Sequence, residues 1–73
     1  MNHASLDKSE RMQRLYRLLQ TGAEFTTRQI AEKARVEAVS TAVSELRKNI
    51  SSKGLDIKAQ RRGDLWFYRM VMQ

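Results

Sequence analysis

The sequence predicts a small α+β domain, mainly α, in which three helices precede a C-terminal two-stranded β-hairpin. Three observations predict it. Apolar residues recur at helical spacing as far as Ile50, then alternate with period two from Leu55. The three glycines, Gly22, Gly54 and Gly63, each stand where the pattern changes, in a chain without proline. A length of 73 residues allows one thin core and hence a single domain over 1–73, with a frayed start at 1–5.

From Ser5 to Gln20, the residues Met12, Leu15, Tyr16, Leu18 and Leu19 place one apolar stripe on a helix whose other face carries Arg11, Arg14 and Arg17. Ser5 or Asp7 can cap its start, and Thr21-Gly22 stops it. Thr26-Thr27-Arg28-Gln29 reads as a capping box, so a second, short helix begins at about Thr27 and ends near Arg35. Its apolar face is Ile30, Ala31 and Ala34, with Phe25 as a staple to the core. Val39, Val43, Leu46 and Ile50 then define a third helix from about Ala38 to Ile50, flanked by Ala42. Thr41, Ser44 and Lys48 fall on the opposite side of this helix, with Ser40 and Arg47 on one shoulder and Glu45 on the other.

Beyond Gly54, Leu55, Ile57 and Ala59 alternate with Asp56, Lys58 and Gln60, the period of a strand. Gly63-Asp64 suits the tip of a two-residue hairpin of type I′ or II′. That turn sets the register, opposing Arg61 to Trp66, Ala59 to Tyr68, Ile57 to Met70 and Leu55 to Met72 on a largely apolar face. Trp66 and Tyr68 therefore read as core rather than as stacking platforms, and Arg61 as a cation stacked on Trp66. The other face holds Leu65, Phe67 and Val71 among polar and basic residues. This apolar row suits a homodimer contact or packing against the segment around Leu6.

Composition narrows the function. Fourteen Lys and Arg against eight Asp and Glu give a formal charge of +6 and a positive surface field, for which nucleic acid is the first partner to consider. With no cysteine and one histidine, His3, the chain offers no disulfide framework, metal cluster or catalytic set, so neither catalysis, cofactor nor metal is expected. No apolar span or leader pattern is present, which points to the cytoplasm, or the nucleoid if the chain is bacterial.

The run Thr26-Thr27-Arg28-Gln29-Ile30-Ala31-Glu32-Lys33-Ala34-Arg35-Val36 resembles the second helix and turn of winged helix-turn-helix domains. Val43-Ser44-Glu45-Leu46-Arg47-Lys48 resembles their recognition helix, and Gly54-Leu55-Asp56-Ile57 the entry to the wing. The order of these segments is similar to that of short phage and prophage helix-turn-helix proteins. It departs from their pattern in having Arg35 where the turn usually has glycine, and in a longer interval from Val36 to Val43. The resemblance implies a three-helix winged helix-turn-helix fold that binds double-stranded DNA, with the third helix in the major groove.

On that expectation, Ser40, Thr41 and Ser44 are the base-reading residues, since small hydroxyls fit a groove ~12 Å wide but discriminate bases modestly. Arg28, Arg47 and Lys48 flank them as phosphate contacts. Arg61 and Arg62 lie beside Gly63 at the tip of the hairpin, Arg62 being the outward contact to backbone or minor groove. Glu45 is expected to pair with Lys48. The function expected is that of a small transcriptional regulator. An architectural or excisionase-like recombination factor and a winged-helix protein-docking module are the alternatives.

Overall fold

The computed structural model describes residues 9–73. The frayed start at 1–5, the caps Ser5 and Asp7, and the segment around Leu6 lie outside the described residues. In chain order the elements are α1 (Glu10–Leu19), β1 (Phe25–Thr26), α2 (Thr27–Lys33), α3 (Val39–Ile50), β2 (Leu55–Arg62) and β3 (Leu65–Met72), with a single 3-10 turn at Ser51–Lys53 between α3 and β2. The three expected helices and the expected hairpin are present. The sheet, however, is three-stranded and antiparallel, in the order β1-β3-β2.

The third strand is the correction. Phe25 and Thr26 pair with Tyr68 and Phe67 of β3, so the segment expected to act only as a staple also covers an edge of the hairpin. Two residues carry no readable alternation, and the capping box that follows dominates the local signal. Thr26 serves both elements. Its hydroxyl accepts from the Gln29 amide at 3.1 Å, and the Gln29 carboxamide oxygen accepts from the Thr26 amide at 2.9 Å, so the strand ends where α2 begins.

α1 starts later than the expectation from Ser5. Ser9 caps it, accepting from the Met12 amide at 3.2 Å, with Glu10 in the first turn where a negative charge suits the helix dipole. Gly22, at φ +83°, ends the helix by bonding back to the Leu19 carbonyl. At the end of α2, Arg35 takes the left-handed conformation at φ +56°. The Arg14 side chain holds that corner, donating through Nε to the Ala34 carbonyl at 2.8 Å and through Nη2 to the Arg35 carbonyl at 3.3 Å. Arg14 thus satisfies carbonyls that a helix end leaves open, and α1 is tied to the α2–α3 turn.

The hairpin has the expected register throughout, from Leu55 opposite Met72 to Arg62 opposite Leu65. Only Gly63 has positive φ at its tip, +62°, which matches the type II′ alternative of the two expected. The core is formed by Met12, Leu15 and Leu19 of α1, Ile30 of α2, Val39, Ala42, Val43, Leu46 and Ile50 of α3, and Ile57, Tyr68 and Met70 of the sheet. Ala34 and Val36 fill the turn between α2 and α3.

The inner sheet face is buried only at its centre, at Ile57, Tyr68 and Met70, and Met72 at the basal end, expected on the apolar face, is 83% exposed. Tyr68 is core as expected, whereas Trp66 is 46% exposed and is not. The reason is length. A 12-residue α3 spans about 18 Å at ~1.5 Å per residue, whereas an eight-residue strand spans about 27 Å at ~3.4 Å, so the distal hairpin overhangs the helices. The molecule is correspondingly long, 39 × 26 × 18 Å. On the outer face, only Leu65 of the apolar row is widely exposed, at 53%, while Phe67 and Val71 are half-buried.

Candidate nucleic-acid interface

The buried stripe of α3 orients the rest of the helix. Because Val39, Val43, Leu46 and Ile50 are held in the core, Ser40, Thr41, Ser44, Arg47 and Lys48 are all exposed on the opposite side. No side chain caps the start of α3, where Ala38 stands. The outer surface of its first turns is therefore small, polar and open, and becomes cationic toward its end.

Two open grooves flank this surface. One, of about 600 Å³, separates α3 from the overhanging hairpin and is lined by Ser40, Ser44 and Arg47 on the helix and by Ala59 and Trp66 on the strands, with Thr27 and Glu37 also at its wall. The other runs along the far shoulder of α3, past Ser44, Arg47, Lys48 and Ser51 to Asp56 and Gln73. Ser44 and Arg47 belong to both and form the ridge between them. Thr41 lies on the open helix face, lining neither groove.

The basic residues divide into paired and unpaired. Arg47 is clamped to Asp56 of β2, with Nε at 2.8 Å from one carboxylate oxygen and Nη2 at 3.5 Å from the other. This contact and the Ile57 amide hold the Asp56 carboxyl below its ordinary pKa. Arg28 pairs with Glu32 one turn along α2 at 3.3 Å, on an exposed surface, and lines neither groove. Arg62 pairs with Glu24 and lies over the Phe67 ring, 4.4 Å from its centroid. Lys48, Lys58, Arg61 and Arg69 form no ion pair among the described residues.

Two expected contacts are different in the structure. The stacked cation of the hairpin is Arg62 on Phe67, not Arg61 on Trp66; Arg61 instead donates to the Gly63 carbonyl at 3.1 Å. Glu45 pairs with Arg11 of α1 at 2.8 Å rather than with Lys48, because Arg11 approaches from a neighbouring helix while Lys48 points along the solvent face. The basic face of α1 is thereby partly spent on internal contacts, Arg11 to α3 and Arg14 to the α2–α3 turn.

The structure thus brings together Ser40, Ser44, Arg47 and Lys48 around one helix, sets Arg61 and Arg62 at a projecting tip, and leaves Arg28 apart. Groove-lining residues that sequence reasoning did not assign to this surface include Thr27, Glu37, Ala59 and Trp66. The signal for the last two was available in the mismatch between helix and strand length. Comparison of the chain with protein-family models, curated proteins and solved structures gives no match to any of them.

Proposed function

We propose that this chain is a winged helix-turn-helix module that binds double-stranded DNA, a small non-enzymatic regulator of the phage or prophage type. In this reading α2 and α3 are the helix-turn-helix, α3 enters the major groove and the β2–β3 hairpin is the wing. The observation that carries it is the free face of α3. Ser40, Thr41 and Ser44 stand exposed, Lys48 continues the same face, and a hairpin carrying Arg61, without an ion pair among the described residues, projects beside it. Small side chains let a helix approach base edges closely, while cations at its margin take phosphates.

The net charge of +6 supports the same partner, because neutralising phosphates releases counterions and makes affinity fall steeply with salt. The left-handed Arg35 supports the helix-turn-helix reading, since it supplies the backbone corner at the position where the related domains place glycine.

The test is a fluorescence-anisotropy titration of a labelled random duplex at several salt concentrations, followed by selection from a random duplex pool. Binding that weakens with salt and a selected preferred site are expected. Lys48→Ala and Arg61→Ala should each weaken binding to all duplexes several-fold and lower the salt slope by about one. No binding at low salt overturns the reading, and unchanged slopes in both variants overturn the placement of α3 and the hairpin on DNA.

A further inference from the structure

An indole ring left half in water on the concave side of the hairpin calls for an explanation. Trp66 stands opposite Arg61 on the sheet face that turns toward α3, one register step beyond the last buried residue of that face, Tyr68. Its side chain forms no hydrogen bond among the described residues, which leaves the ring N–H without a partner among them. Large aromatic side chains normally bury their area, and those that stay open while keeping a polar tip suit surfaces with one apolar and one wet partner.

The groove it lines has that two-sided character. The helix wall presents the hydroxyls of Ser40 and Ser44 and the guanidinium of Arg47, and the hairpin wall presents the methyl of Ala59 and the ring of Trp66. A sugar-phosphate strand is amphipathic in the same sense, with deoxyribose carbons on its flank and phosphate oxygens as strong acceptors. Charge at the groove is mixed: Arg47 shares its guanidinium with Asp56, and Glu37 is the carboxylate lining the groove itself. A neutral donor such as the indole N–H adds a phosphate contact there without adding charge.

We propose that Trp66 is a DNA-contact residue: one sugar-phosphate strand of the bound duplex lies in the groove between α3 and the hairpin, against the indole ring, and the indole N–H donates to a phosphate oxygen. This rests on the DNA-binding reading above. Stacking on an unpaired base is the less favoured use of the ring, because it requires a base unpaired and taken out of the helical stack.

Trp66 is the only tryptophan of the chain, so its emission reports this site alone. With the full chain and the labelled random duplex, emission should change in step with anisotropy. Trp66→Ala should bind about tenfold more weakly with its salt slope unchanged, since a neutral donor displaces no counterion. Trp66→Phe, which keeps a ring but loses the donor, should fall between Ala and wild type. Thermal melts of both variants check that they fold. Emission unchanged at saturation, or Trp66→Ala binding as wild type, overturns the inference while leaving DNA binding intact. A larger emission change with single-stranded than with duplex DNA at equal saturation also overturns it, in favour of stacking. If the wild type fails to bind duplex at all, the broader reading fails first.

Discussion

Arg35 is the residue at which local conformation and residue type disagree. At φ +56° its Cβ crowds the following carbonyl, a strain of roughly 1–2 kcal/mol for an L-residue that glycine escapes. The position follows the α2 cap at Ala34, where helices most often finish with glycine. Two bonds from Arg14 to the carbonyls of Ala34 and Arg35 hold the corner, and these are backbone acceptors that a substitution at residue 35 leaves in place. Arg35→Gly should therefore raise stability by about 0.5–1 kcal/mol, the relief of strain being partly offset by the greater unfolded-state freedom of glycine. Chemical denaturation of the two proteins reads this directly, and a destabilised glycine variant would mean that the arginine side chain contributes more than its strain costs. At this scale the sequence was informative. The missing glycine at residue 35 is visible by inspection, but the Arg14 contacts that compensate come from a helix about 20 residues away, beyond any local pattern.

At the scale of elements, what needs explaining is how α3 is fixed relative to the hairpin. Ile50 and Ile57 pack in the common core, but the polar link is Arg47 to Asp56, which spans α3 and β2 at 2.8 Å. The Arg47 guanidinium and the Ile57 amide both favour the ionised Asp56, so its folded pKa lies below the unfolded value near 3.8. A carboxyl with a depressed folded pKa adds stability that is fully present above the unfolded pKa and is lost as pH falls through the folded one. Asp56→Asn should accordingly melt below wild type at neutral pH, with the gap closing as the solution is acidified past 3.8. A gap independent of pH would remove ionisation as its cause. Periodicity made the elements themselves legible, because Val39, Val43, Leu46 and Ile50 on α3 and the alternation on β2 both report a single buried face. The link between them was not legible, since Arg47 and Asp56 are each unremarkable surface residues until the fold places them together. β1 was hidden for a different reason: two residues are too few to show a period, and Phe25 in β1 is explained equally well as a staple.

For the molecule as a whole, the deciding quantity is how much of its positive charge is free. Five arginines, Arg11, Arg14, Arg28, Arg47 and Arg62, lie within 4.0 Å of carboxylates, while Lys58 and Arg69 stand directly opposite each other on the outer sheet face with no carboxylate partner among the described residues. Like charges placed across a strand pair cost stability, so that arrangement favours a surface that meets an anion. Arg62 is the opposite case. It sits at the projecting tip, beside Arg61, which forms no ion pair among the described residues, yet Glu24 holds it from the segment leading into β1. An exposed pair of this kind contributes at most about 1 kcal/mol to folding, so on the DNA-binding reading its carboxylate would compete with phosphate more than it stabilises the protein. Glu24→Gln should leave the melting temperature within a few degrees of wild type, tighten duplex binding several-fold and steepen the salt slope by up to about one. Anisotropy titrations at matched salt distinguish the outcomes. An unchanged slope would place the tip of the hairpin away from the phosphates and leave α3, with Lys48 and Arg47, as the principal electrostatic contact.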